Sequence, residues 1–173
     1  MYQNLFFILF ISFLSFNESI ADEKISYVDV DYILSNSLAG KSLLENLKKE
    51  EKLRIDKFLI KDNEFKEKEK KILAKKNLIT EKEINKELRS LQIEFENYRK
   101  NKIKEIDKLK SKRKRNILNF INLINPIIEK YMLDNSIDIL LDKKNVFIAS
   151  KNYDITNKLI KIINNKVENI DIK

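Results

Sequence analysis

The sequence predicts an α+β protein, predominantly helical, in which a long antiparallel coiled-coil hairpin arm stands on a small β-strand body. Three observations predict it. Gly occurs once, at Gly40, and Pro once, at Pro126, in 173 residues, so few turns are available and long helices are the economical solution. Charged residues make up 36% of the chain, and between them apolar residues recur at heptad spacing. Short β-branched and aromatic runs occur only towards the two ends of the chain.

The first residues read as an export leader. Leu5–Phe16 is almost wholly apolar, and Ser19-Ile20-Ala21 places small residues at both determinants of a cleavage site. A run of about 12 residues suits a signal peptide and falls short of the roughly 20 that cross a bilayer. Residues 1–21 are therefore read as a signal peptide, with the mature chain starting at Asp22. No Lys or Arg precedes the apolar run, which departs from the usual charged start.

The next stretch, Lys24–Val30, is rich in β-branched and aromatic residues and roughly alternates. It predicts a strand with Val28 and Val30 on one face and Ile25 and Tyr27 on the other. Asp31–Ser37 reads as a short helical turn or loop, and Gly40 as a turn before the first long helix. That helix is expected from about Gly40 to Asn77. Leu44, Phe58, Phe65, Ile72 and Ile79 share one seven-residue register, with Glu51 the only gap, and Leu47, Ile55 and Leu59 flank it.

A break follows at Asn77–Thr80. Thr80-Glu81-Lys82-Glu83 has the form of a capping box and starts a second helix. Ile84, Leu88, Leu91, Phe95 and Tyr98 form its seam at alternating spacings of four and three. The register then slips at Ile103 and Ile106 and again through Ile117, Phe120 and Ile124, which changes the winding without ending the helix. Pro126 predicts a kink near Asn122–Pro126. Beyond Asp134-Asn135-Ser136, the segments Ile137–Leu141 and Val146–Ala149 read as two short strands around a turn at Asp142–Asn145. A last helix is expected from Asp154-Ile155-Thr156 to about Asn164. Residues 22–40 and 116–173 would then form the body and 41–115 the arm. Three short strands leave both sheet edges open, which argues for an oligomer whose chains complete one sheet or barrel.

Charge is unevenly placed. Residues 41–115 carry 26 Lys and Arg against 15 Asp and Glu, a net of +11, while the rest of the mature chain is at −2. Such a segment attracts acidic polypeptides or anionic lipid surfaces. Lys112, Arg113, Lys114 and Arg115 are its densest run and the candidate residues for electrostatic capture. No aromatic residue interleaves them, which argues against nucleic acid. Ala39-Gly40-Lys41-Ser42 invites a phosphate-loop reading, but Ser35 stands where the motif needs its first glycine. The chain has no Cys and no His, which excludes disulfides, Cys/His zinc sites and histidine-based catalysis. Phe58, Leu59, Phe65, Ile72, Leu88, Leu91, Phe95 and Tyr98 are the candidates for the arm seam or for client contact. Leu59, Ile60, Leu78 and Ile93 lie off the main seams, so apolar area is expected to stay exposed on the arm.

Several ordered segments carry a resemblance: Lys24–Val30, Ser35 through Gly40-Lys41 into a charged helix, Asn125-Pro-Ile-Ile-Glu-Lys-Tyr131, Ile137-Asp-Ile-Leu-Leu-Asp142-Lys143, Val146 and Asp154-Ile-Thr156. In this order around a basic helical hairpin, they make the chain resemble the Skp/OmpH-like family of periplasmic chaperones for outer-membrane proteins. The resemblance implies a homotrimer with a small β-barrel body and three arms around a cavity, no enzymatic activity and no cofactor, and unfolded outer-membrane proteins as partners. Because the body is too small to close its own sheet, the subunit contacts are expected on its strands, at Ile25, Tyr27, Val28, Val30, Ile139, Leu141, Val146 and Ile148. The expected function is ATP-independent holding of those clients in the periplasm. The alternative is a structural coiled-coil or adaptor protein of the cell envelope that keeps its apolar segment as an anchor.

Overall fold

The structure, a computed structural model, describes residues 23–167. The leader read over residues 1–21 lies outside them. The order of elements is β1 (Ile25–Val28), α1 (Val30–Asn36), α2 (Leu38–Ala74), α3 (Glu81–Asp134), β2 (Ile139–Asp142) and α4 (Thr156–Lys166). Short 3₁₀ turns stand at Lys75–Asn77, Lys143–Asn145 and Lys151–Tyr153.

Local chemistry sets each boundary. The Asp29 carboxylate accepts from the Tyr32 N–H at 2.9 Å and starts α1, so Val30 is helical and does not extend the strand. Ser37 ends α1 and caps α2, accepting from the Gly40 N–H at 3.1 Å. Gly40 does not make a turn: it lies inside α2 and its φ is not positive. Its hydrogen is needed for close approach instead, because a Cβ there would stand 2.1 Å from the Leu34 carbonyl oxygen, in the last turn of α1. Gly40→Ala is therefore expected to push α1 and α2 apart and to destabilise the protein by about 1–3 kcal/mol, read as a lower urea midpoint.

The capping box at Thr80 forms as the sequence predicts. The Thr80 N–H donates to Glu83 Oε2 at 2.9 Å, and the Glu83 N–H donates back to Thr80 Oγ1 at 3.4 Å. From there α3 continues for 54 residues, about 80 Å at 1.5 Å per residue. The helix continues through Pro126, whose missing N–H leaves the Asn122 carbonyl without its usual donor.

β1 and β2 pair in parallel, with Ile25 opposite Ile139 and Tyr27 opposite Leu141. An isolated bridge from Tyr27 to Asp154 and a bond from the Ile155 N–H to the Tyr27 carbonyl occupy the other edge of β1. The third expected strand, Val146–Ala149, does not form, and the sheet is not a hairpin around Asp142–Asn145. The β-branched composition of that segment suits a pleated, half-covered surface. The segment nevertheless stays unpaired, although the outer edge of β2 is open, and Phe147 and Ile148 stand in solvent.

One apolar core ties the base together. Val28, Ile33, Ala39, Leu43 and Leu47 meet Phe120, Ile124 and Ile128 of α3, together with Ile137, Ile155, Leu159 and Ile163. Leu159 and Ile163 lie on one face of α4, in line with Ile155 at its N-cap, as the periodicity predicts. Beyond Leu47 on α2 and before Phe120 on α3, burial becomes sparse. Between those points the buried residues are Phe65, Ile84 and Asn116. The Asn116 amide nitrogen has no hydrogen-bond partner among the described residues, an unusual cost at the root of the helix pair.

Candidate functional site

Two surfaces gather the residues singled out by the sequence. The first is the outer face of the sheet. Side chains of register partners project to the same face, so Ile25, Tyr27, Ile139 and Leu141 share one. Ile139 is 40% exposed, Ile25 and Leu141 are similarly open, and Tyr27 is covered. Val28 points the other way, 4% exposed in the chain's own core, and Val30 packs against that core from α1. Val146 is half-buried and Ile148 almost fully exposed. Phe147, which the sequence reading passed over, is completely exposed. Period-2 alternation favoured its neighbours Val146 and Ile148, and the loss of the strand removed the basis for that choice.

The second surface is the helix pair α2–α3, stitched by cross-helix ion pairs. Lys75–Glu87 at 2.9 Å and Lys68–Glu94 at 2.8 Å lie nearest the connecting turn. Asp62–Lys102 at 2.7 Å, Arg54–Glu105 at 3.2 Å and Glu50–Lys112 at 2.8 Å follow towards the base. Numbers fall along α2 as they rise along α3. Exposed pairs of this kind contribute about 0–1 kcal/mol each. With the longer Arg113–Glu51 contact at 3.9 Å they number six among the described residues, and they matter here because so little apolar burial accompanies them.

The middle of the pair is aromatic. Phe65, 6% exposed, sits 5.2 Å from both Phe95 and Tyr98, ring centre to ring centre, with Phe95 edge-on. Lys61 and Lys68 place their ammonium groups 5.7 and 5.4 Å from the Phe65 ring, and Lys102 lies 5.4 Å from the Phe58 ring. Sequence reasoning missed the polar knot beside these rings. The Tyr98 hydroxyl donates to Asp62 Oδ1 at 2.7 Å, while Lys102 Nζ donates to Asp62 Oδ2 at 2.7 Å. A tyrosine on the seam with a lysine one turn later was the available signal, but Asp62 lies on the other helix and no spacing rule links them.

Hydrogen bonds from Lys102 and then Tyr98 hold the Asp62 carboxyl below its ordinary value near 3.8. Burial, and then the Asp62 charge, push the Tyr98 hydroxyl well above the usual phenol range. For a carboxyl lowered by folding, the stabilisation is complete above the ordinary value and is lost as pH falls through the lower folded-state value. Helicity followed between pH 5 and pH 2 should therefore fall below about pH 4 in the native protein. In Asp62→Asn part of that acid loss should already be present at pH 7, and the remaining acid transition should be shallower.

Around the rings runs a groove of about 870 Å³, with Phe65, Leu88, Leu91, Phe95 and Tyr98 among its lining residues. Nearer the base, Leu59 and Phe58 line a second hollow of about 320 Å³. Ile72 is half-buried. Leu59, Ile60, Leu78 and Ile93 are all more than half exposed, as their positions off the seams predict.

The four-residue cationic run does not act as one patch. Lys112 is tied to Glu50, and Arg113 lies 3.9 Å from Glu51. Heptad geometry turns the 112 position towards α2, where an acidic pair at Glu50 and Glu51 meets it. Lys114 and Arg115 are exposed, and no carboxylate among the described residues lies within 4 Å of their nitrogens. Among the described residues no acidic cluster is placed to hold a metal ion, and no helix is long and apolar enough to cross a membrane.

These features define a class: a long helix pair on a small mixed base, with large apolar side chains left exposed on both. The profile of the OmpH family, described as outer membrane protein (OmpH-like), matches residues 24–163, and the chain belongs to that family. It is also similar to a crystal structure from Caulobacter crescentus CB15, described as a candidate outer membrane chaperone (OmpH-like). The two are 15% identical with a TM-score of 0.78, over 86% of this chain and 88% of that one, and so share a fold. No curated protein matches the chain.

Proposed function

We propose that the protein is an ATP-independent holdase chaperone of the periplasm, which binds unfolded outer-membrane proteins and prevents their aggregation. It acts without a cofactor and as a homotrimer. Residues 1–21 direct export. Residues 22–40 and 116–173 form the oligomerising body, and 41–115 form an antiparallel coiled-coil arm. The carrying observation is the arm's surface: a segment of net charge +11 that leaves Leu59, Ile60, Ile93 and Ile103 in solvent between its charges. Unfolded barrel strands alternate apolar and polar residues and aggregate readily. Cations attract such chains when they are acidic, and scattered apolar side chains hold them weakly. Three arms add weak contacts into a useful affinity. Lys114 and Arg115, together with the lysines near exposed Leu78, can also rest on an anionic membrane surface.

The sheet face supports assembly. Ile25, Ile139 and Leu141 leave an apolar sheet face uncovered beside the open edge of β2, and Phe147 and Ile148 are exposed in the segment that follows β2, a combination that a second and third copy can cover. The test is light scattering from a urea-unfolded outer-membrane barrel protein diluted into buffer without ATP. Stoichiometric amounts of the mature chain should suppress the scattering. Unchanged aggregation would refute the holdase reading and leave a structural envelope protein.

A further inference from the structure

The groove between α2 and α3 has an incompletely covered aromatic floor. Phe95 is 38% exposed, although Phe65 and Tyr98 stand 5.2 and 6.2 Å from it. Rings pair favourably edge-on or offset at about 4.5–7 Å, so the open side of Phe95 can take a further ring. Leu88, Leu91 and Ile103 continue the apolar lining on either side.

Three basic residues (Lys66, Arg99, Lys102) and two acidic ones (Asp62, Glu69) line this groove, a net of one positive charge. Asp62 is already engaged by Tyr98 and Lys102, which satisfies the acidic group nearest the rings. Of the other charged lining residues, Glu69 is acidic while Lys66 and Arg99 are basic. Among the described residues no carboxylate lies within 4 Å of the side-chain nitrogens of Lys66 or Arg99. An arginine in that state can take an incoming carboxylate with two parallel hydrogen bonds. A volume of about 870 Å³ exceeds one aromatic side chain and lies in the range of sites that enclose several groups.

We propose that this groove takes an aromatic side chain from an extended client segment, with the segment's neighbouring carboxylates meeting Arg99 and Lys66. The proposal rests on the holdase reading and adds a local preference to it: acidic residues flanking an aromatic are accepted, and basic flanks are repelled by the cations on the rim. Each arm then has one defined seat within a surface that is otherwise unselective.

The chain contains no Trp, so a Trp-bearing probe reports without background. The probe is a short capped peptide with a single Trp between two Asp residues, titrated with the full mature protein and followed by its own fluorescence. Arg99→Glu should weaken its binding by about tenfold or more, and a peptide with Lys in place of both Asp residues should bind at least as poorly. Lys158→Glu, a reversal of an exposed lysine on α4, outside both the groove and the arm, should change the affinity less than about twofold. Equal losses in Arg99→Glu and Lys158→Glu would overturn the proposal in favour of a diffuse charge effect. Equal binding of the Asp and Lys peptides would overturn it as well. Circular dichroism of both variants guards against unfolding, since both positions are exposed. Suppression of barrel-protein aggregation, measured in parallel, separates the two readings. A native protein that holds the client but ignores the peptide loses the groove proposal alone, whereas failure to hold any client removes the function beneath it.

Discussion

Ile139→Asp is expected to leave the chain folded and to break the assembly into single subunits. Val28→Asp, three residues into the neighbouring strand, is expected to unfold the base. Both strands read alike in sequence, and the structure separates their roles. Ile139 faces outward opposite Ile25 and is 40% exposed in the single chain, so an aspartate there stays hydrated until another subunit covers it. Burial of that charge in a subunit contact would cost several kcal/mol, enough to dissociate a trimer at micromolar concentration. Val28 is 4% exposed in the cluster with Ile33, Leu159 and Ile163. A carboxylate there is buried within the chain itself, at a cost comparable with the whole stability of a small domain. Light scattering gives the mass and circular dichroism the fold. A trimeric Ile139→Asp variant would remove this face from the subunit contact, and a stable folded monomer of the unaltered protein would refute assembly altogether.

How much of this was legible in the sequence depended on the range of the interactions. The start of α3 was readable because its determinant is a local motif: Thr80 and Glu83 lie three residues apart, and the capping box forms between them. The single-residue caps Asp29 and Ser37 start α1 and α2 just as locally but carry no such paired signature. The last helix was readable because Ile155, Leu159 and Ile163 repeat every four residues against one core. The strands were only half readable. Composition marked Ile139–Leu141 and Val146–Ala149 equally, but a strand needs a partner. β1 accepted the first of them in parallel, across more than a hundred residues of intervening chain, and left the second unpaired. Gly40 was noticed for the right reason, its missing side chain, and given the wrong use, because the clash that excludes a Cβ comes from Leu34 on another helix. The candidate site divided in the same way. Seam residues such as Phe65 and Phe95 followed from heptad spacing. The Asp62–Tyr98–Lys102 knot and the Glu50–Lys112 pair join helices whose relative register no single-helix pattern contains.

That last pair changes what a charge-reversal experiment on the cationic run should show. Lys114→Glu with Arg115→Glu removes four units of positive charge per chain from exposed side chains that have no partner within 4 Å among the described residues. Helicity and thermal stability should hardly move. Association with an unfolded acidic barrel protein should slow by about tenfold or more at low salt, because steering falls with the field that produces it. Lys112→Glu should act through structure instead. It removes only two units, but it sets a carboxylate against Glu50, from which the native ammonium stands 2.8 Å away, beside the unsatisfied Asn116 amide and the hollow lined by Phe58 and Leu59. The root of the helix pair should loosen, with lost helicity and faster client release. Salt separates the two effects. The Debye length falls from about 8 Å at physiological ionic strength to about 3 Å at 1 M, so high salt should slow capture by the native protein to the rate of the Lys114/Arg115 variant. The same salt should leave the excess release of Lys112→Glu in place, because that release arises from lost packing as well as from charge. Stopped-flow association and dissociation, measured for the three proteins across salt, supply the test. Association rates indifferent to salt and to the double reversal would remove electrostatic capture from the mechanism, even with client holding intact.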